Sequence, residues 1–333
     1  MNRLSYFIQR YFTHYLIGQK NYGQNTLSSY RDTFRLLIRF LKESGYNISR
    51  MGLDDLTSEN ILEFLKWLER SRNNSPTTRN TRLAHIKSFY SFVSIENPEH
   101  IDSCSKISRI SFIKTKQVPP KYLQEEIVKE LLDSINKQDK TGIRHLAIIT
   151  LLYDSACRVQ ELINLNVSDI KLEGVGNIYV RGKGAKHRHI PLLPQTCKIL
   201  KKYLSVYPLQ NERPLFTNSR GERLTRQGIG YILNKYINII RERTPDRVET
   251  KISPHILRHS KATHLVNAGV SIYNVRDFLG HSSVETTQIY LTSSLEITRR
   301  AIEAASNKIV HDSSHYYTAE EKDDLLNFLE TFI

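Results

Sequence analysis

The sequence predicts a mainly α-helical protein of two domains, with a small β-hairpin in the second. Apolar residues recur at three-to-four spacing through most of the chain, which is typical of helices packed on a core. One segment instead alternates apolar and polar residues on both sides of a glycine-bearing turn. A basic stretch without helical periodicity separates two periodic regions, and 333 residues exceed what one small core usually holds. Two domains are therefore expected.

Composition favours a partner that carries many negative charges. The formal net charge is +14, and each lysine or arginine placed on a phosphate releases condensed counterions. A generally basic surface with no such partner would give the same charge. The chain has no run of about 18 apolar residues and no secretory signal pattern. Its three cysteines form no Cys-x-x-Cys pair. We therefore expect a cytoplasmic protein without a membrane span, a disulfide framework or a metal site.

Residues 1–104 are predicted to form a first, helical domain. Its four periodic segments span 4–19, 25–45, 57–72 and 75–93. The predicted N-terminal caps are Asn25, Thr57 or Ser58, and Ser75. Gly45 is the predicted stop of the second helix, and Pro76 takes the first helical position of the fourth, where proline is well tolerated.

The fourth of these helices has a basic side formed by Arg79, Arg82 and Lys87, opposite its apolar residues. Charges on one side of a helix are usually only solvated. Their agreement with the overall positive charge favours contact with a DNA backbone instead. We therefore predict that these three side chains bind DNA.

Residues 105–122 are predicted to be an extended, basic linker between the domains. The stretch is rich in lysine and arginine, lacks acidic residues and contains two consecutive prolines. Lys114 and Lys116 are predicted to contact DNA, so that the linker closes a two-domain clamp around a duplex. An exposed tether without contacts is the alternative.

Residues 123–311 are predicted to form the second domain, in which a β-hairpin spans 177–192. The hairpin tip, GKGAKHRH, places Lys183 between two glycines, with Lys186 and Arg188 beside it. Lys186 and Arg188 are predicted to bind DNA, and a solvated turn is the alternative. The tip lacks the G-x-x-x-x-G-K-[ST] pattern of a nucleotide-binding loop.

Two further motifs are candidates for binding a phosphate. In SPHILRH, Ser253 is a predicted cap, and His255 and Arg258 share a face at a helix N-terminus, where unpaired amides favour anions. In LLYDSACRVQEL, Arg158 lies between two apolar segments and needs an anionic partner. Glu161 is either that structural partner or a residue that orients Arg158 toward a substrate phosphate. For the first motif, an exposed turn is the alternative.

The segment LGHSSVETTQIY contains a candidate nucleophile. Gly280 is a predicted helix stop, and Ser282 with Glu285 forms a predicted capping box at the start of the next helix. This prediction places His281 just before that helix and Tyr290 about two turns inside it. A half-buried aromatic is the usual role of a tyrosine, so Tyr290 alone does not indicate a reaction.

The order and spacing of six residues resemble the active site of the tyrosine recombinase (phage integrase) family, and within it the Xer-like recombinases. These residues are Arg158, Lys183, His255, Arg258, His281 and Tyr290. The resemblance covers nearly the whole chain and is most specific in SPHILRH, GKGAK and LGHSSVETTQIY. It implies a SAM-like core-binding domain and a catalytic domain. It also implies a site-specific recombinase that cuts and rejoins DNA through a 3′-phosphotyrosyl intermediate.

The resemblance implies a role for each of these residues. Arg158 and Arg258 would clamp the scissile phosphate, and Tyr290 would attack it. The other implied roles are those of Lys183 as general acid (with Lys186 as the alternative), His255 in proton transfer, His281 in a hydrogen bond to the phosphate, and Glu161 in support of the site. Two arginines can stabilise the charge of the reacting phosphate without a metal, so no metal or cofactor is expected.

The implied partners are DNA and further copies of the chain. The resemblance implies double-stranded DNA with inverted half-sites, a dimer on each site and a tetramer in synapsis. It leaves open a second recombinase or an accessory protein. Residues 312–333 are predicted to form a tail helix, whose apolar stripe consists of Leu325, Phe328, Leu329 and Phe332. The resemblance implies that this helix docks in trans on a neighbouring protomer, and packing on its own domain is the alternative.

The leading expectation for the biological role is the integrase of a mobile genetic element. Xer-type resolution of chromosome or plasmid dimers is the alternative. A type IB topoisomerase is less favoured, because the tail indicates assembly of several copies. A catalytically silent DNA-binding regulator is less favoured, because the set of reactive residues is complete.

Overall fold

Helix is the dominant element of the structure, a computed structural model that describes residues 3–115, 120–182, 187–248, 252–281 and 283–290. The chain divides into two units, Met1–Gln117 and Val118–Ile333. This division falls inside the predicted linker. Among the described residues, the strands form one small sheet in the second unit. The predicted fold class, mainly helical with a small sheet, is confirmed. No helix of the described residues is long and apolar enough to cross a membrane.

The described part of the first unit consists mainly of α-helices around a core rich in aromatic side chains. These helices are α1 (Leu4–Arg10), α2 (Gln24–Glu43), α3 (Ser58–Arg72), α4 (Pro76–Glu96) and α5 (Ile101–Ser108). A wider π-helical segment, Tyr11–Gln19, continues α1. Tyr11, Phe64 and Phe89 are fully buried in this core.

Two of the three predicted N-terminal caps of this unit are confirmed. The side chains of Thr57 and Ser75 accept hydrogen bonds from the backbone N–H of the third residue of α3 and α4. The predicted cap Asn25 is wrong, because α2 already begins at Gln24 and is preceded by Gly23. A residue inside the helix cannot cap it, and the backbone carbonyl of Gly23 accepts the first bonds instead.

The predicted start of the extended linker is also wrong. Residues 105–108 belong to α5, where Ile107 is fully buried in the first core and Ile110 follows it there. Both backbone groups of Ile113 are then held by the Asn80 side chain, at 2.8 and 3.1 Å. Apolar residues at every third position hold this stretch on the core, although the basic residues between them obscure the helical pattern in the sequence.

The described part of the second unit is mostly helical and contains one small sheet. It begins with α6 (Glu125–Asp133), α7 (Lys140–Ser155) and α8 (Val159–Asn164), followed by β1 (Ile170–Lys171), β2 (Asn177–Arg181) and β3 (His187–Pro191). It continues with α9 (Pro194–Val206), α10 (Arg226–Arg243), α11 (His255–Asn267), α12 (Ile272–Leu279) and α13 (Glu285–Gln288). Helix α7 is buried over most of its length and packs against α9 and α11, which places it at the centre of the core.

The sheet confirms the predicted hairpin and fixes which way its residues point. Its order is β1-β2-β3, both pairs antiparallel. Ile178 pairs with Ile190, and Val180 pairs with Arg188. Since cross-strand partners lie on the same face and both Ile178 and Val180 are buried, Arg188 faces the interior of the unit. The hairpin tip, with Lys183 and Lys186, lies outside the described residues.

Candidate active site

Arg158 lies at the break between α7 and α8, as predicted. Helix α7 ends at Ala156, which has a left-handed backbone (φ 45°) and is fully buried. The chain then turns so that Arg158 directly precedes α8. Glu161 accepts hydrogen bonds from the Arg158 backbone N–H at 2.8 Å and from Nη1 at 3.0 Å. The predicted contact between Arg158 and Glu161 is therefore present, and the arginine side chain remains 38% exposed.

Arg188 binds the same carboxylate, which differs from the prediction that it belongs to a basic hairpin tip. Its two terminal nitrogens lie 3.1 and 2.9 Å from the two oxygens of Glu161. Its guanidinium also contacts Gly280, where a Cβ atom would come within 2.8 Å of Nη1. Burial alone would raise the pKa of Glu161, but the hydrogen bonds and charges of Arg188 and Arg158 outweigh it. The pKa lies below its ordinary value, so the carboxylate is charged.

Arg258 on α11 joins the ends of two other helices. Its Nη1 donates to the Ala156 carbonyl at 2.6 Å, and its Nη2 donates to the Leu279 carbonyl at 2.7 Å. Burial, with a further contribution from the charge of Arg158, lowers the pKa of Arg258 to about 10, so it remains charged at neutral pH. These bonds bring the end of α7, the start of α11 and the end of α12 to one place.

His255 starts α11 one turn before Arg258, so the two share a face as predicted. Burial and the charges of Arg258 and Arg158 lower the pKa of His255. The predicted cap Ser253 is not present as such, because Pro254 is the residue that precedes the helix and no side chain caps it. The Ser253 carbonyl instead accepts from the Ile256 backbone N–H.

His281 follows the end of α12 at Gly280, whose φ of 65° confirms the predicted helix stop. Its Nδ1 lies 2.9 Å from the hydroxyl oxygen of Thr287, a buried residue of α13. Burial, followed by the charges of Arg258 and Arg158, lowers the pKa of His281 to about 4. His281 is therefore neutral at physiological pH and can donate one N–H.

The helix before Tyr290 is shorter than predicted. Helix α13 begins at Glu285 after Val284, and the side chain of Ser283 exchanges hydrogen bonds with Glu285. Ser282 itself lies outside the described residues. The helix ends at Gln288, so Tyr290 lies two residues beyond it instead of two turns inside. The predicted capping box of Ser282 with Glu285 therefore falls outside the described residues.

The side chain of Tyr290 is held from two sides. Its ring packs in a small apolar cluster with Ala156, Ala262 and Leu279, and only 2% of the residue is exposed. Its hydroxyl oxygen lies 2.8 Å from Nδ1 of His259. His259 is not among the site residues predicted from the sequence. Its position four residues after His255, on the same helix face, was the available signal.

The structure brings most of the predicted site residues together in one unit. Those that it places at the same site are Arg158, Glu161, His255, Arg258, His281 and Tyr290. It adds Arg188 and His259 to them. Lys183 lies outside the described residues. Among the residues that are described, no group of three or more histidine, cysteine or acidic side chains is arranged to hold a metal ion.

Comparison with known proteins identifies the family of this chain. Residues 121–296 match the phage integrase family, and residues 8–97 match the phage integrase N-terminal SAM-like domain. The chain belongs to the phage integrase, or tyrosine recombinase, family. The resemblance drawn from the sequence is thus confirmed. Members of this family cleave and rejoin DNA, so this recombinase is an enzyme of DNA strand breakage and rejoining.

Individual relatives match this recombinase over most of its length. It is 31% identical to the tyrosine recombinase XerC of Thermodesulfovibrio yellowstonii, over 97% of this chain and 100% of that one. It is 33% identical to XerD of Oceanobacillus iheyensis, over 86% and 93% of the two chains. A crystal structure of the XerH recombinase bound to its difH substrate has a TM-score of 0.65 and 25% identity, covering 86% of this chain and 81% of that one.

The basic residues predicted to bind DNA in the first unit of the recombinase differ in exposure. Arg79 is 8% exposed and its Nε lies 3.3 Å from Glu69 of α3, so it packs against the neighbouring helix, although it was predicted to lie on a basic side that contacts DNA. Arg82 is half-buried, and burial lowers its pKa. Lys87 is also half-buried, with its Nζ 4.5 Å from the centre of the Phe112 ring. Lys114 is exposed, and Lys116 lies outside the described residues.

Proposed function

We propose that this recombinase cuts a DNA strand by attack of the Tyr290 hydroxyl on a phosphodiester and rejoins it by the reverse reaction. The observation that carries this proposal is the positive charge beside the hydroxyl. Burial raises the pKa of Tyr290, and the nearby charge of Arg258 opposes that rise. A tyrosine whose pKa is ordinarily about 10 needs such surroundings to attack at neutral pH.

The proposed reaction passes through a covalent intermediate. The tyrosine oxygen forms a bond to phosphorus while the bond to the 5′-oxygen breaks, which leaves a 3′-phosphotyrosyl link. Arg158 and Arg258 stabilise the charge that develops on the non-bridging oxygens, and His281 donates a hydrogen bond to one of them. Lys183, assisted by His255, protonates the leaving oxygen. Since the link retains the energy of the broken bond, a 5′-hydroxyl can displace the tyrosine without ATP.

We propose double-stranded DNA with inverted half-sites as the substrate, bound by a dimer on each site and a tetramer in synapsis. The net charge of +14 and the likeness to a recombinase solved on its DNA substrate support this. Residues 312–333 would dock on a neighbouring protomer. Deleting 312–333 should then abolish strand exchange while leaving cleavage of a single site intact. Normal synapsis of the shortened protein would contradict docking in trans.

The proposed biological setting is a mobile genetic element, and dimer resolution is the second candidate because of the relatives named XerC and XerD. The two differ in what accumulates when the gene is deleted. Loss of the element's excised or integrated junctions supports the first candidate. Accumulation of chromosome or plasmid dimers supports the second candidate, dimer resolution. It would also mean that no other recombinase compensates for the deleted gene.

A covalent trapping experiment tests the reaction itself. The binding site is selected from a random duplex library, and a nick beside the scissile phosphate lets the short product diffuse away, so that the adduct accumulates. We expect an adduct with the wild type, none with Tyr290→Phe, and an undiminished adduct with Tyr273→Phe, a control on an exposed tyrosine. An undiminished adduct with Tyr290→Phe would contradict the proposal. Relaxation of supercoils without strand exchange would favour a topoisomerase, and binding without any adduct would favour a regulator.

A further inference from the structure

His259 has no part in the reaction described above, although it lies against Tyr290. We infer that His259 is the general base that takes the hydroxyl proton of Tyr290 as the tyrosine attacks DNA. The inference rests on the proposed role of Tyr290 as the nucleophile. It assigns to His259 the proton of the attacking hydroxyl, which the roles of Lys183 and His255 at the leaving oxygen do not cover.

The geometry meets the requirement for direct proton transfer. The 2.8 Å between Nδ1 of His259 and the Tyr290 hydroxyl oxygen lies within the range of about 2.6–3.2 Å that such a transfer needs. The two ring centres are 5.8 Å apart. His259 directly follows Arg258 on α11. One turn of one helix therefore presents both the phosphate-binding arginine and the base to the site.

The protonation states of the two side chains set the direction of the hydrogen bond. Burial raises the pKa of Tyr290, so the hydroxyl keeps its proton until it reacts. Burial, with the charges of His255 and Arg258, lowers the pKa of His259, so its ring is neutral at pH 7. His281, in the segment after α12, interacts electrostatically with His259. A neutral imidazole has one acceptor nitrogen, and the phenol is the donor that fits it.

The step balances without any further reactant. In cleavage, the tyrosine oxygen bonds to phosphorus, the bond to the 5′-oxygen breaks, and the phenol proton moves to Nδ1 of His259. The leaving oxygen receives a separate proton from Lys183. In rejoining, a 5′-hydroxyl attacks the phosphotyrosine and gives its proton back to Lys183, and the imidazolium of His259 returns its proton to the departing tyrosine. The positive imidazolium balances the charge that develops on the phosphate.

A second histidine–tyrosine pair on the same helix shows why the hydrogen bond alone does not define a base. His264 Nδ1 lies 2.9 Å from the hydroxyl oxygen of Tyr153. Burial and the nearby carboxylates of Glu125 and Asp154 raise the pKa of Tyr153 to about 12, which disfavours a phenolate. The neighbour of Tyr290 is instead Arg258, which favours one. The His264 pair is therefore a matched control that has the hydrogen bond, but with carboxylates that raise the pKa of its tyrosine where Tyr290 has Arg258.

The test separates proton acceptance from positioning. Asparagine at position 259 places an oxygen where Nδ1 lies, so His259→Asn keeps a hydrogen-bond acceptor but cannot take a proton at neutral pH. The full-length protein carries this substitution, with His264→Asn as the control. Single-turnover cleavage is measured from pH 6 to 10 on a substrate whose leaving 5′-oxygen is replaced by sulfur. That leaving group needs no acid, so the contribution of Lys183 drops out.

We expect His259→Asn to cleave about 10²–10⁴-fold more slowly than the wild type at pH 7. Its rate should rise about tenfold for each pH unit, because the phenol must then ionise unaided. The wild type and His264→Asn should show a flat profile above pH 7. Replacing Tyr290 by a fluorinated tyrosine of lower pKa should restore the rate of His259→Asn, since a more acidic phenol needs less help from a base. Thermal unfolding checks that both variants are folded.

Two results would overturn the inference alone. Wild-type rates and a flat profile for His259→Asn would mean that any acceptor suffices. A slow His259→Asn with a flat profile and no rescue by the fluorinated tyrosine would mean that His259 only positions the ring. An adduct that persists in Tyr290→Phe, and maps to another residue, would overturn the proposed function and this inference with it.

Discussion

Replacing Glu161 by glutamine tests the charge arrangement on which the site depends. The carboxylate is buried and accepts hydrogen bonds from the side chains of Arg158 and Arg188 and from the Arg158 backbone. Glutamine keeps the shape of the side chain but removes its charge. Its amide N–H groups must also face a guanidinium, which has donors only. Both arginines then lose the partner that orients them.

The expected magnitude follows from the exposure of each partner. Removing one member of a buried ion pair costs about 3–5 kcal/mol. The side chain of Arg158 is 38% exposed, so water screens that pair, whereas the side chain of Arg188 is only 16% exposed. We therefore take the lower end and expect the free energy of unfolding of the second unit to fall by about 3 kcal/mol. Cleavage should slow by about a hundredfold, as a shift of about 1 Å in a phosphate-binding group can cause.

Urea unfolding provides the assay, because the two units have different optical signals. The single tryptophan, Trp67, lies in α3 of the first unit, whereas far-ultraviolet circular dichroism reports the helices of both. We expect the Trp67 transition to stay unchanged and the transition of the second unit to move down by roughly 1 M urea. The control is Glu63→Gln, whose carboxylate is 59% exposed and pairs with Lys66, and which should leave both transitions unchanged because water screens an exposed pair. A similarly small effect of Glu161→Gln, with unchanged cleavage, would refute the reasoning.

Four further outcomes are expected. Gly280→Ala should slow cleavage and destabilise the second unit by about 1–2 kcal/mol, because φ is 65° at this position and the new Cβ atom would displace the Arg188 guanidinium. Single-turnover rates and urea midpoints measure these two effects. Arg258→Lys should reduce single-turnover cleavage by about 10²–10³-fold, since lysine cannot hold two carbonyls and a phosphate at once. Arg79→Met should lower the urea midpoint reported by Trp67 fluorescence without altering the salt dependence of DNA binding. Lys114→Ala should do the opposite: it should leave stability unchanged and reduce by about 1 the slope of log affinity for DNA against log salt concentration. Burial lowers the pKa of His85 from an ordinary 6.5 to about 4, so the unfolded chain binds more protons than the folded one between pH 6.5 and pH 4. The first unit should therefore lose stability as the pH falls from 6.5 to 4. His85→Gln should flatten this pH dependence, as measured by Trp67 fluorescence during urea unfolding.

Features set by neighbouring residues were predictable from the sequence. The caps Thr57 and Ser75 and the stop at Gly280 each depend on a few consecutive backbone groups, so their residue types identify them. The pairing of Arg158 with Glu161 is local in the same sense, since the two are three residues apart. Helix α5 was missed because its core contacts depend on apolar residues scattered among basic ones.

Features set by tertiary packing were predictable only in part. Alternation along β3 puts Arg188 on the same face as the buried Ile190, which indicates an inward arginine but not its partner on α8. Helical spacing groups His259 with His255, yet no local pattern says that Tyr290 reaches back to α11. That contact depends on how the turn after α13 packs, and on an apolar cluster whose members come from distant parts of the chain.

The charges of the assembled site favour a transition state over a bound substrate. Among the described site residues, Arg158, Arg188 and Arg258 contribute three positive charges and Glu161 one negative charge, which leaves a net +2. Burial and these arginines keep His255 and His281 neutral. A phosphodiester carries one negative charge, and the attack of a tyrosine oxygen adds a second as the new bond forms. In the proposed reaction, the net +2 of these described residues would therefore gain more from the transition state than from the ground state, which is the condition for speeding the chemical step and not merely tightening binding. Glu161 contributes by holding two of the three arginines in place, so it limits the excess charge while fixing the donors that the phosphate meets.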